Sequence, residues 1–163
     1  MWIVILALMT LPKVSNNLVH SQIVGPENGL MSNGIPCDKV EHLVFHNHTK
    51  LNVIVNNESY TIPEGIGIIP NECIYWLHTH DTSGIIHVES PVKNSFTLGQ
   101  FLSIWKAFDN SNLTKILAGN NFTDASIIIS VDINGKQLDS EHHDYTDTKL
   151  GDNDEISLRI TAN

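Results

Sequence analysis

The segment Trp76-Leu77-His78-Thr79-His80-Asp81-Thr82-Ser83-Gly84-Ile85-Ile86-His87-Val88-Glu89 restricts the fold more than any other part of the chain. Histidines stand at alternate positions among apolar residues on both sides of a polar, glycine-ended break. A period of two belongs to β-strands, so the segment predicts a hairpin. With Asp81 to Gly84 as a four-residue loop, His80 faces Ile85 and His78 faces His87, and His80 lies on their face one step along. Opposed residues in an antiparallel pair have Cβ atoms about 4.5–5.5 Å apart. Three imidazoles therefore converge within reach of one metal ion. A slip of one residue would send His87 to the other face.

The rest of the chain is patterned in the same way. Val44 to His48 and Leu51 to Val55 are strand-like, Asn56-Asn57 is a turn, and Ser59 to Ile62 is the return strand. Pro63 to Gly67 breaks this unit and Pro70-Asn71-Glu72 marks a further turn, after which the His hairpin runs from Cys73 to Glu89. Thr97 to Phe108 is the one clear helix candidate, with Thr97 as N-cap, Gln100 at the capping-box position and Leu98, Phe101, Leu102 and Trp105 as an apolar stripe. Ala125 to Ile133 reads as a strand, Asn134-Gly135 as a type I′ turn and Lys136 to Leu138 as the start of the return, while Asp154 to Ile160 alternates as a half-buried strand should. The pattern predicts a mostly β fold, an antiparallel sheet, sandwich or barrel-like domain with one packed helix. Its parts are an N-terminal segment (1–21), a loop-rich lead-in (22–36), a His-rich β domain with helix (37–108), a polar linker (109–124) and a C-terminal β-hairpin region packed on the same core (125–163).

Composition narrows the functional classes. The chain carries 9 Lys plus Arg against 18 Asp plus Glu, a formal charge of −9, and has no basic cluster to neutralise phosphates, which excludes nucleic acid as a partner. Its 9 histidines equal Lys and Arg together, and most are neutral at pH 7, so they do not serve as surface cations. No phosphate-binding loop, dinucleotide fingerprint or Gly-x-Ser-x-Gly context occurs. Met1 to Leu11 is an apolar run of signal-peptide length, shorter than the roughly 20 residues of a membrane span, and Val19-His20-Ser21 offers a cleavage site. The expectation is an extracytoplasmic protein, touching a membrane only through that segment if it stays uncleaved. Asn-x-Ser/Thr sequons stand at Asn47, Asn57, Asn112 and Asn121, though Asn47 lies between two candidate ligands. In an oxidising compartment Cys37 and Cys73 form a disulfide pair. The alternative, Cys73 as a thiolate ligand, is opposed by parity, because an odd offset from His78 puts it on the other strand face.

His46 and His48 repeat the alternate spacing on another strand. With His78, His80 and His87 they offer imidazoles from rigid strand positions, an arrangement that suits a metal without distorting the backbone. Glu89 shares the face of His87 and Asp81 follows His80. Either carboxylate could ligate, orient an imidazole or act as a general base, although Asp81 also fits an Asx turn. Glu41 and His42 are weaker candidates, and His142-His143 in the acidic loop reads as a solvated loop or a secondary cation site. Imidazole suits copper and zinc alike, and the absence of a thiolate excludes blue copper and closed Cys-type zinc sites. The ordering of divalent affinities at nitrogen sites favours copper. Two further functional classes stand beside a metal-binding protein. One is a metal-dependent enzyme of the hydratase or hydrolase type, with a His₃ metal–water site and Glu89 or Asp81 as base. The other is a non-catalytic interaction module with structural histidines.

From Cys37 to Trp105 the chain also resembles an uncharacterised family of small exported proteins of bacteria and ammonia-oxidising archaea. The resemblance rests on Cys37, Glu41, His46-Asn47-His48, the Ile62-Pro63 to Gly67 segment, Cys73 and Tyr75 to Asp81, with Gly84 to Pro91 and Phe96 to Phe101 after them. It implies export and the importance of these positions. It does not extend to cupins, since Asn52 stands where a cupin has glutamate four residues after His48.

Overall fold

The computed structural model describes residues 31–109, 111, 127–139 and 144–162. The N-terminal segment, the linker sequons at Asn112 and Asn121, and His142-His143 lie outside the described residues. The strands are β1 (Met31–Ser32), β2 (Ile35–Asp38), β3 (Phe45–Val55), β4 (Glu58–Tyr60), β5 (Ile68–Ile69), β6 (Cys73–Tyr75), β7 (Leu77–His78), β8 (Ile85–Ser90), β9 (Ile127–Ile133), β10 (Lys136–Gln137) and β11 (Glu155–Ala162). The helix α1 (Leu98–Phe108) follows β8, and a 3₁₀ turn covers Tyr145–Asp147. Two open sheets result, one ordered β1-β2-β6-β5 and the other β10-β9-β11-β3-β8-β7, with β4 also paired to β3. Of the arrangements open to the sequence, the fold is the sandwich-like one, with no closed barrel among the described residues.

The long strand β3 organises the larger sheet. Its odd-numbered residues Thr49, Leu51 and Val53 are buried, while His46 and His48 on the other face are exposed. One edge of β3 pairs with β8 from Phe45 to Lys50 and then with β4 from Val53 to Val55. Its other edge takes β11, in parallel register, Glu155 opposite Lys50 through Ile160 opposite Val55. Strand β11 thus sits between β3 and β9, parallel to the first and antiparallel to the second, within a sheet that is otherwise antiparallel. Its alternate residues Ile156, Leu158 and Ile160 are buried and join the same core as Leu51 and Val53.

The turns are asparagine chemistry. Among the described residues, every non-glycine residue with positive φ is an asparagine: Asn33, Asn56, Asn57, Asn71, Asn134 and Asn153. Asparagine tolerates the left-handed region better than other side chains. Asn33-Gly34, Asn56-Asn57 and Asn134-Gly135 accordingly make the tight links β1–β2, β3–β4 and β9–β10. The first of these corrects the loop-rich lead-in, since Met31 to Pro36 is already a small antiparallel hairpin.

Helix α1 conforms to its pattern. Gln100 Oε1 accepts from the Thr97 backbone N–H at 3.0 Å, its part of a capping box. Leu98, Phe101, Leu102 and Trp105 are fully buried together with Ile104. Residues of both sheets and of the helix make one apolar cluster.

A second correction concerns the segment from Cys73. Strand β6 belongs to the smaller sheet and β7 to the larger, so the chain changes sheets at Trp76. The Trp76 backbone N–H donates to Pro36 O at 3.3 Å in one sheet, while Trp76 O accepts from the Glu89 N–H at 2.8 Å in the other. The Cys37–Cys73 disulfide fastens β2 to the start of β6 just before this crossing. Cys73 is therefore no metal ligand, and its partner is the one expected.

Candidate metal centre

Three neighbouring strands carry the histidines. On β8, Ile86 and Val88 point into the core, which leaves His87 and Glu89 on the opposite face. Strand β3 places His48 opposite His87 and His46 opposite Glu89. Strand β7 places His78 opposite His87 from the other side. The His78–His87 register is the one expected from the sequence. The loop is longer than expected, because β7 ends at His78 and Thr79 to Gly84 connect it to β8. His80 nevertheless returns to the cluster, its Nε2 3.1 Å from His78 Nε2 and its ring centroid 4.4 Å from that of His87.

The loop is held from beneath by Thr79, which is fully buried between the two histidines. Its hydroxyl donates to Pro63 O at 3.0 Å and accepts from the Ile66 N–H at 3.1 Å, while its backbone N–H donates to Ile66 O. Gly67, at φ 81°, packs against the chain at His78, where an added Cβ would stand 2.6 Å from Leu77 O. These contacts fix His78 from outside its own hairpin. The Pro63 to Gly67 segment, a mere strand break in the sequence, is the element that does so.

The donor atoms fall into two groups: His78, His80, His87 and Glu89 form one, and His46, His48 and His87 the other, each with all its atoms within 4.8 Å of one another. His78 is 0% exposed in its side chain and Glu89 5%, whereas His46 at 37% and His80 at 42% form an accessible rim. The site thus has a desolvated floor and an open mouth. Glu89 Oε1 lies 3.2 Å from His46 Nε2 and 3.5 Å from His87 Nδ1. Glu41, exposed and in the loop before β3, brings Oε1 to 3.5 Å from His80 Nε2 and 4.0 Å from His78 Nε2. It is the one carboxylate at the mouth that sequence spacing ranked low, since only the folded loop brings it to the hairpin.

Desolvation keeps the inner imidazoles unprotonated. Burial lowers the His78 pKa from 6.5 to about 4, helped by the neighbouring His80 and opposed by a hydrogen bond to Tyr75. In that bond the Nδ1–H donates to Tyr75 O at 2.9 Å, which leaves the Nε2 lone pair facing the cluster. Burial and then the surrounding imidazoles, His80 and His78 foremost, lower His87 to about 4 as well. Desolvation raises Glu89 above the usual carboxylate value, followed by repulsion from Glu41. His87 Nδ1 and Glu89 Oε2 are buried without a hydrogen-bond partner. Buried polar atoms are normally paired, so these two stand out as atoms that could serve a bound cation.

Two sequence candidates lie elsewhere. Asp81 belongs to neither donor group, and its Oδ1 accepts from the Ser83 N–H at 2.8 Å, the Asx turn that its position suggests. The Ser83 hydroxyl first, and then that backbone bond, hold its carboxyl below the ordinary range. His42 Nε2 is 2.7 Å from Asp38 Oδ2, which also accepts from Trp76 Nε1 at 2.7 Å, so His42 braces the sheet crossing. Asn47 lies opposite Val88 on β3, out of step with the flanking histidines. Comparison with protein-family models, with curated proteins and with solved structures finds no match.

Proposed function

We propose that this protein binds a transition-metal ion, copper or zinc, on the face shared by β3, β8 and β7. The observation that carries this reading is the set of preformed imidazole groups around His87, whose buried members are neutral at pH 7. Metal ligation requires deprotonated donors, and here burial has already removed the proton. The tautomer of His78 is fixed by a backbone carbonyl, the usual means of aiming a ligating imidazole. Copper is preferred because divalent copper outcompetes zinc at nitrogen donors. The disulfide fits an oxidising, extracytoplasmic compartment. No helix among the described residues is long and apolar enough to cross a membrane.

A second reading follows from Glu89. A carboxylate that is desolvated, raised in pKa and unpartnered at Oε2 beside an open mouth suits a general base for a metal-bound water. The protein would then be a hydratase or hydrolase. Titration of chelator-stripped protein with copper(II) and zinc(II) at pH 7, followed by desalting and elemental analysis, tests the metal reading. Retained metal in the wild type and its loss or marked weakening in His80→Ala is the expected result. No retained metal, or unchanged retention in that variant, overturns it. Hydration and ester-hydrolysis assays on the loaded protein then separate carrier from enzyme.

A further inference from the structure

The two donor groups share one residue, His87, and it differs from its cross-strand neighbour His78 in a telling way. His78 commits its second ring nitrogen to Tyr75 O, as a terminal ligand does. His87 makes no such commitment: its buried Nδ1 has no hydrogen-bond partner, and Glu89 Oε1, at 3.5 Å, is beyond a good hydrogen bond. The ring stands in the middle strand of three, with His48 at a centroid distance of 4.6 Å on one side and His78 at 5.4 Å and His80 at 4.4 Å on the other. The backbones of β3 and β7 are two strand spacings apart, about 9–10 Å, and neither donor group holds histidines from both strands. Glu89 is also central, with Oε1 towards His46 and His87 and a second buried oxygen free.

We propose that His87 is a bridging ligand between two divalent transition-metal ions, one held with His78, His80 and Glu89, the other with His46 and His48. The inference rests on the metal-binding reading above and adds the number of ions and the link between them. An imidazole offers two nitrogens on opposite ring edges, and with metal–nitrogen bonds of about 2.0–2.1 Å the ions would stand about 6 Å apart. Binding of the second ion breaks the remaining ring N–H bond of His87. The ion takes the nitrogen lone pair and the proton leaves to the buffer, with no change of oxidation state. The anionic ring, Glu89 and nearby Glu41 offset part of the added positive charge.

Copper(II) provides the test, because two copper(II) ions joined through one imidazolate couple antiferromagnetically and lose their paramagnetic resonance signal in the cold. The experiment uses the full chain with His142→Ala and His143→Ala, so that this acidic stretch of sequence adds no site. The expected result is two retained copper ions per chain whose integrated spin signal falls far below two equivalents. His48→Ala, at an exposed position and checked for its β circular dichroism, should retain one ion with its full signal. One ion in the parent chain, two ions with full uncoupled signal, or no change in His48→Ala would each overturn the bridge while leaving metal binding intact. Retention of no copper at all would overturn both readings.

Discussion

The burial of His78 sets a pH dependence of stability that can be worked out before any metal is added. Its imidazole titrates at 6.5 when solvated and at about 4 in the folded chain. Below pH 6.5 the unfolded chain binds a proton that the native state refuses. Stability from this group is therefore fully present above 6.5 and is lost as pH falls towards 4. The whole shift corresponds to about 3.5 kcal/mol, at about 1.4 kcal/mol per pKa unit, of which about 3 kcal/mol is lost by pH 4. His87 acts in the same direction. Glu89, raised above the usual carboxylate value, acts in the opposite one: the native state holds its proton longer, so its contribution falls as pH rises through its own range. Subtracting a variant isolates His78. Urea unfolding of metal-free, disulfide-intact protein from pH 4 to 8 should show the wild type losing about 3 kcal/mol more than His78→Gln over the acid limb. The ring resonances of His78 should stay those of neutral imidazole down to about pH 4. A His78 titration near 6.5, or identical acid limbs in wild type and variant, would refute the reasoning.

Two further outcomes follow from the scaffold. Gly67→Ala places a Cβ against Leu77 O at a left-handed backbone position; strain and overpacking should together cost about 2–4 kcal/mol in urea unfolding and weaken copper retention, since the displaced backbone carries His78. Cutting the disulfide by Cys37→Ser with Cys73→Ser opens a loop of 36 residues and should cost about 4 kcal/mol in the chain-entropy account. An unchanged unfolding midpoint in either variant would count against the role assigned to that contact.

How much of the centre was legible in the sequence follows from the range of each interaction. The alternation of His78, Thr79 and His80 and the pattern of His87, Val88 and Glu89 are local, set by the pleat, so the facing of His78 and His87 could be read directly. The apolar stripe and capping residue of α1 are local as well, and so are the asparagine turns, whose φ values belong to single residues. The Cys37–Cys73 pairing needed only an even cysteine count and an oxidising compartment. The strand order was not legible. Nothing in the alternation of Glu155 to Ala162 distinguishes a parallel neighbour from an antiparallel one, because both bury the same face. The change of sheets at Trp76 also escaped, since a strand's burial pattern continues across it while its hydrogen bonds go to different partners.

By itself, then, the sequence determined that the chain forms strands and which side chains share a face on each, because that follows from backbone geometry over two or three residues. Only the tertiary structure decided that His46 and His48 stand beside His87, because the pairing of β3 with β8 joins segments about 40 residues apart and is set by burial of Leu51, Ile86 and Val88 in a common core. The same packing decided which histidines are desolvated. His78 lies beneath the rim and His80 stays accessible, although the two are a single step apart on the same alternating face. That difference in solvation, invisible in a one-dimensional pattern, gives the candidate centre a neutral, fixed imidazole at its floor and an open mouth.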